Sequence, residues 1–292
     1  MKNLPVLVVH TIIRLAVLVL LFAVASANSQ QGFDGDKLKA VLAAQPAEVK
    51  ARYVFRHPYE TLAFFDIAPG ETVLEALPGG GWYSNILRPY LGKEGVLIGV
   101  DYDYDMWAHF PWVNEGFLKK RRHWYSNWQK ETQQRDNDDL AAQQGFTFST
   151  LPDSLTGQVD TVLFIRALHN FARFNEQGRY LDTALSEAFR LLKPGGTLGI
   201  VQHQAPAQSP VDGSTGYLTK DFVISAAEAA GFVLRAESAI NENPLDQPSP
   251  TDRVWRLPPS LATSKGDKIL RQQMQKMGES NRMTLAFIKP DK

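Results

Sequence analysis

The feature that most constrains this chain is a repeating pair of patterns. Short apolar runs alternate with stretches whose apolar residues recur at helical spacing. The runs Thr72–Leu77, Val96–Asp101, Gly145–Thr150, Thr161–Ile165 and Thr197–Gln202 read as strands. Several are continuously apolar, as a parallel strand covered on both faces must be. Between the last two, Tyr180, Leu181, Ala184, Leu185, Ala188, Leu191 and Leu192 form a helical stripe. Lys193-Pro194-Gly195-Gly196 follows as an expected helix stop. Phe232–Ala236 and Met283–Ile288 read as two more strands. Strands alternating with helices predict an α/β fold: a doubly wound, Rossmann-like, mostly parallel seven-stranded sheet with right-handed crossovers.

Other segments flank this pattern. Asn28 to Asp36 is polar and reads as a spacer; a stripe of Leu38, Val41, Leu42 and Val49, broken at Pro46, completes an N-terminal segment over 28–51. The main domain is expected over 52–292, opening with a helical stretch that carries Leu62, Phe64, Phe65 and Ile67 before the Pro69-Gly70 turn. Residues 241–282 form a long, proline-rich, polar insertion between the last two strands, with one helix around Ile269–Met277; a loop of that length is functional or mobile. At the N-terminus, Lys2 and Arg14 accompany an apolar run from Leu15 to Val24, and Ala25-Ser26-Ala27 supplies small residues. That layout predicts a cleaved secretory signal over 1–27 and an exported protein. The alternative is a retained membrane anchor, which would hold the domain near a membrane, although His10 and Arg14 interrupt the apolar stretch.

Composition excludes several classes of function. The 31 basic and 31 acidic residues cancel, and loss of Lys2 and Arg14 with the signal leaves a net charge of −2, so no global field attracts nucleic acid. The run Lys119-Lys120-Arg121-Arg122-His123 therefore reads as a solvated helix face. The 292 residues include no cysteine, which excludes disulfides, thiolate metal sites and a cysteine nucleophile. No His/Asp/Glu set has metal-ligand spacing, and no metal is expected.

The segment Val73 to Asn85, VLEALPGGGWYSN, carries the most chemistry. A strand enters Pro78-Gly79-Gly80-Gly81, where residues without Cβ allow a tight turn and close approach of a ligand to the backbone. The following helix N-terminus favours polar or anionic ligand groups. Asp101 ends the second strand, 22 residues past Gly79, where an acid reaches the two hydroxyls of an adenosine ribose. Glu75 lies inside an otherwise apolar strand, an expensive place for a carboxylate without a partner. S-adenosylmethionine (SAM) offers it an ammonium group; a dinucleotide pyrophosphate would be repelled.

VLEALPGGGW resembles motif I of class I SAM-dependent methyltransferases, with Glu75 at the acidic position, Gly79 and Gly81 at the second and third glycines, and Leu77 where the first glycine usually stands. VLIGVD, Val96 to Asp101, resembles motif II, and RLLKPGGTLGI, Arg190 to Ile200, the family's post-helix strand motif. The resemblance covers Arg52 to the C-terminus and implies an antiparallel last strand. The signal, HPYETLAFF, PGGGWYSNIL and the closing KP together resemble a group of exported bacterial methyltransferases, which implies the periplasm.

The resemblance implies that SAM is held by Glu75, Gly79, Gly80, Gly81, Asp101, Tyr102 and Asp153, the last toward the adenine. His169, after the fourth strand, is the candidate general base, since histidine titrates near neutral pH; alternatively, His169 and Asn170 cap the next helix. His203 ends the fifth strand at the same edge. The expected activity is methyl transfer to a small-molecule or cell-envelope acceptor. The rivals are a methyltransferase-like nucleoside-binding module without turnover and a nicotinamide oxidoreductase, for which no catalytic set is visible.

Overall fold

A computed structural model of the chain describes residues 32–133, 139–210 and 212–291. The expected signal over 1–27 and residues 28–31 of the spacer lie outside the described residues. Seven strands form one sheet: β1 (Thr72–Ala76), β2 (Val96–Asp101), β3 (Ala142–Thr147), β4 (Val159–Ile165), β5 (Leu192–His203), β6 (Val233–Ser238) and β7 (Arg282–Ile288). Their order is β3-β2-β1-β4-β5-β7-β6, and β7 runs antiparallel to both neighbours. The chain therefore has the expected doubly wound sheet with an antiparallel last strand, the class I methyltransferase fold.

The helices in chain order are α1 (Gly35–Ala44), α2 (Ala47–Lys50), α3 (Tyr53–Arg56), α4 (Pro58–Phe64), α5 (Ser84–Leu91), α6 (Tyr104–Ala108), α7 (Glu115–Arg121) and α8 (Trp124–Gln133). They continue with α9 (Leu168–Arg173), α10 (Asn175–Gly178), α11 (Tyr180–Leu191), α12 (Lys220–Ala229) and α13 (Lys268–Met277). Successive strand residues point to opposite faces. Thus Val73 and Leu97 pack with Leu38, Leu62 and Ile86 from α1, α4 and α5, while Leu74 and Ile98 pack with Phe171, Leu185 and Ala227 from α9, α11 and α12. The continuous apolar runs are required because both faces are covered.

Some elements begin or end elsewhere than the sequence predicts. The spacer ends early: Asp34 caps α1 by accepting a hydrogen bond from the Lys37 N–H at 2.9 Å. Strand β3 is shifted toward the N-terminus, and Phe148–Thr150 is a 3₁₀ turn in which the Thr147 and Thr150 side chains take over backbone bonding. Lys193–Gly196 is not a stop outside the strand but the first part of β5. Helix α11 ends at Leu191, the Lys193 ammonium meets Asp160 at 2.5 Å, and Gly195 donates to the Lys289 carbonyl at 2.8 Å. Pairing with the end of β7 therefore captures a segment whose composition signals a turn.

Strand order reverses at β1, whose neighbours are β2 on one side and β4 on the other. Ligands of open α/β sheets bind at such a switch point, beyond the C-terminal strand ends. Part of the insertion lies beside this edge and is anchored. Asp246 is fully buried and accepts from the Arg256 guanidinium at 2.6 Å, the Tyr217 hydroxyl at 3.0 Å and the Asn281 N–H at 2.9 Å. Asn243 donates to the Met277 carbonyl, and Asn241 reaches Thr61 and Thr284. Replacing Asp246 by Ala leaves Arg256 short of its main partner, so Asp246→Ala is expected to destabilise the fold by about 3–5 kcal/mol in urea unfolding. An unchanged midpoint would show that the insertion is not held through this residue.

Candidate active site

The first wall is the turn after β1. Leu77, Gly79 and Gly81 have φ of +55°, +59° and +73°, so three of five consecutive residues are left-handed. For Leu77 that conformation costs about 1–2 kcal/mol; its N–H is fixed to the Val100 carbonyl at 2.7 Å. A Cβ placed on Gly80 would meet nothing within 4 Å, so the turn presents bare backbone to open space.

Two carboxylates lie buried beside this turn. Glu75 accepts a hydrogen bond from the Ser84 hydroxyl at 2.5 Å. Burial pushes its carboxyl up to about 7, against the lowering effects of Ser84 and Arg166. Asp101, at the tip of β2, is 1% exposed. Arg121 grips it through Nε at 2.6 Å and Nη2 at 2.8 Å, and the Trp107 indole N–H donates at 3.2 Å. Burial raises the Asp101 carboxyl despite that pairing. The Arg121 guanidinium also stacks between Trp107 and Trp124, 4.6 and 5.2 Å from their centroids. One member of the basic run is thus an inward-facing partner of Asp101, whereas the sequence reads the whole run as solvated.

Tyr102 is buried against Trp107 and Phe171, and its hydroxyl accepts from Asn170 at 3.0 Å. Asp153 opens a 3₁₀ turn with its carboxylate in solvent, 3.7 Å from Arg190.

The facing wall comes from β4 and β5. Arg166 leaves β4 with φ +60°, its N–H bonded to the Val201 carbonyl at 2.6 Å. His169 sits in the first turn of α9, which begins after Ala167 with no side-chain cap, so neither His169 nor Asn170 caps it. Burial drives His169 down to about 4, and Arg166 and Arg173 add to the effect. The ring is therefore neutral at physiological pH and weakly basic. His203, its centroid 5.6 Å away, meets the Ser280 hydroxyl at 2.6 Å and is also held neutral by burial.

Between the walls lies a cleft of about 450 Å³, within the range that holds small ligands. Gly79 and Gly80 line one side, Arg166 and His169 the other, and Trp255 and Pro259 of the insertion close it. Arg52, Arg56 and Trp82 also line it. Sequence reading singles out none of these last three. The arginines' only signal is their spacing, four residues apart ahead of a predicted helix, and that of Trp82 is its place directly after the glycine run.

No family model and no curated protein matches this chain. Solved structures do. A SAM-dependent methyltransferase from Aquifex aeolicus is 20% identical, covering 72% of this chain and 94% of that one, with a TM-score of 0.43. An arsenic(III) SAM methyltransferase from Chlamydomonas reinhardtii is 16% identical over 87% of this chain and 73% of that one, at 0.44. Phosphoethanolamine N-methyltransferase 2 from Haemonchus contortus, solved with SAM, is 14% identical over 81% and 53%, at 0.46. At these values the likeness is one of fold, and activity has to be argued from the residues.

Glu75 makes a sign-defined prediction. Its folded value near 7 lies above the ordinary 4.5. The fold therefore favours the protonated form, and that contribution is complete below about 4.5 and lost as pH rises to about 7 and beyond, a change on the order of 3 kcal/mol. Glutamine mimics the protonated state. Glu75→Gln is expected to match the parent in thermal unfolding at pH 4.5 and to exceed it at pH 8. Equal stability at pH 8 would show that Glu75 is not held neutral by burial.

Proposed function

We propose that this chain is a SAM-dependent methyltransferase acting on a small-molecule or cell-envelope acceptor. The observation that carries the reading is that Glu75 and Asp101, on the neighbouring strands β1 and β2, lie buried behind the Gly79–Gly81 turn, whose Gly79 and Gly80 open onto the cleft that neither carboxylate lines. Its parts fit the cofactor. Glu75 is a buried carboxyl without a cationic hydrogen-bond partner and suits an ammonium group; Asp101 suits the ribose hydroxyls; Gly80 lets a ligand approach the backbone. Arg121 has to share Asp101 or give way. Bound SAM supplies an electrophilic methyl group. The protein then needs to align the acceptor, exclude water and manage one proton.

His169 is the proposed proton acceptor, neutral in the cleft and ready to receive a hydrogen bond from the acceptor's nucleophilic atom. The buried Asn170 Oδ1 has no partner and offers a second acceptor beside it. The low basicity of His169 equally favours the rival reading, a nucleoside-binding module without turnover. A nicotinamide oxidoreductase is disfavoured by Glu75, which would meet the pyrophosphate. Export behind residues 1–27, a periplasmic location and the lack of a nucleic-acid partner remain part of this proposal. Among the described residues no helix is long and apolar enough to cross a membrane.

Calorimetry with SAM, S-adenosylhomocysteine and NAD tests the reading. Both sulfur nucleosides are expected to bind, and Asp101→Ala to weaken them by about 1–3 kcal/mol through unmade hydrogen bonds. Failure of both to bind would overturn the methyltransferase reading; binding of NAD alone would support the oxidoreductase. Transfer of labelled methyl from SAM into an envelope extract separates turnover from binding.

A further inference from the structure

One side of the cleft is built around an excess of fixed positive charge. Glu279, just before β7, is 3% exposed and faces four guanidinium groups. Arg52 donates to it through Nε at 2.8 Å and also through Nη2. Arg56 Nε lies 3.2 and 3.3 Å from its two oxygens. Arg282 Nη1 and Arg166 Nη1 stand farther off, at 3.4 and 3.9 Å. Burial opposes the charge of Glu279, yet the four arginines outweigh it and hold the carboxyl below its usual range.

One carboxylate does not exhaust four guanidiniums. Arg282 also donates to the carbonyls of Ser280 and Phe55 and stands outside the cleft lining. Arg52, Arg56 and Arg166 do line the cleft. Buried and without hydrogen-bond partners are Arg56 Nη1, Arg166 Nε and the Trp82 indole Nε1. The Arg56 guanidinium lies over the Trp82 ring, 4.5 Å from its centroid, so the two orphan donors belong to one stacked pair. Buried donors left unpaired are costly, and structures retain them where a ligand completes the bonding. Crowding agrees with this: burial first, then repulsion from Arg166, pulls Arg56 down to about 9, against the attraction of Glu279. Glu75, which acts on Arg166 through its charge, is pushed by burial toward its neutral form and so offsets this charge only in part near pH 7.

We propose that the acceptor carries an oxyanion, a carboxylate or a phosphate, which Arg52, Arg56 and Arg166 bind together with the Trp82 N–H. The inference rests on the methyltransferase reading of the same cleft. Guanidinium forks match both oxyanions in geometry, and Trp82 and Trp255 supply flat apolar walls for the body of such a molecule. Burial is the main cause that holds His169 down, and binding would offset the smaller part that Arg166 adds. An anion beside Arg166 raises the affinity of the neighbouring imidazole for a proton, so the base gains strength when the acceptor is in place.

The test uses phenyl phosphate, benzoate and neutral benzamide as probes, titrated into the full chain and read by tryptophan fluorescence and calorimetry. At least one anion is expected to bind ten-fold or more tightly than benzamide, and the stronger of the two identifies the oxyanion. Arg52→Gln is expected to weaken that anion about ten-fold and leave benzamide unaffected, with Arg52→Lys restoring part of the loss. Arg52 lies at the cluster's edge, 23% exposed, so the variant does not depend on tolerating a change at buried Arg56. Benzamide binding as tightly as both anions, or an Arg52→Gln affinity equal to the parent's, would overturn the proposal and leave a structural ion cluster. S-adenosylhomocysteine is titrated into the same samples. Its binding without anion selectivity refutes the acceptor class alone, whereas anion selectivity without its binding supports the oxyanion site and refutes the cofactor reading.

Discussion

A single buried carboxylate, Glu279, ties together parts of the chain that have no local reason to meet. Arg52 stands at the N-terminal cap of the short helix α3 and Arg56 is its last residue, Arg166 follows the end of β4, and Arg282 is at the start of β7. Glu279 and Arg52 are 227 residues apart in sequence. Truncating a buried ion pair is far more damaging than replacing it whole, because the surviving charge stays desolvated. With four cations on one anion the asymmetry is larger still. The N-terminal helices, the switch point and the end of the insertion are thereby fixed relative to one another, and the cleft walls inherit that rigidity.

The strands and the place of the glycine turn were legible because they depend on local patterns, whereas the antiparallel last strand was implied by the resemblance alone. Continuous apolar runs such as Val96–Asp101 mark strands covered on both faces, and glycine runs mark turns. What was not legible depends on distant partners. Arg121 belongs to a run whose charge density predicts solvent, and only the approach of α7 to the tip of β2 turns it inward. Lys193–Gly196 has the composition of a stop, but backbone bonds of Gly195 and Gly196 to Lys289, just past β7, draw it into strand. Glu279 stands in a polar insertion where nothing in the sequence distinguishes it from its solvated neighbours.

The two walls of the cleft share a device. Leu77 after β1 and Arg166 after β4 are both left-handed and adjacent at the switch point, although neither is glycine. Strain of this kind persists where the surroundings over-determine it, and here each N–H is fixed to the neighbouring strand, at Val100 and Val201. The bends turn the chain out of the sheet immediately, leaving space above it. The insertion then closes that space through Trp255 and Pro259, so the walls of the cleft come from different stretches of chain.

On the proposed reading of the site, the state of Glu75 makes ligand capture a titration as well. Near neutral pH a large share of the molecules carry a proton on this buried carboxyl. An ammonium group arriving beside it favours the ionised form, and the displaced proton passes to the solvent. The heat of binding then includes the ionisation enthalpy of whatever buffer accepts that proton, so the same ligand gives different apparent enthalpies in phosphate and in Tris. A residue that reads in the sequence as an acid misplaced in an apolar strand thus couples occupancy of the site to proton exchange with its surroundings.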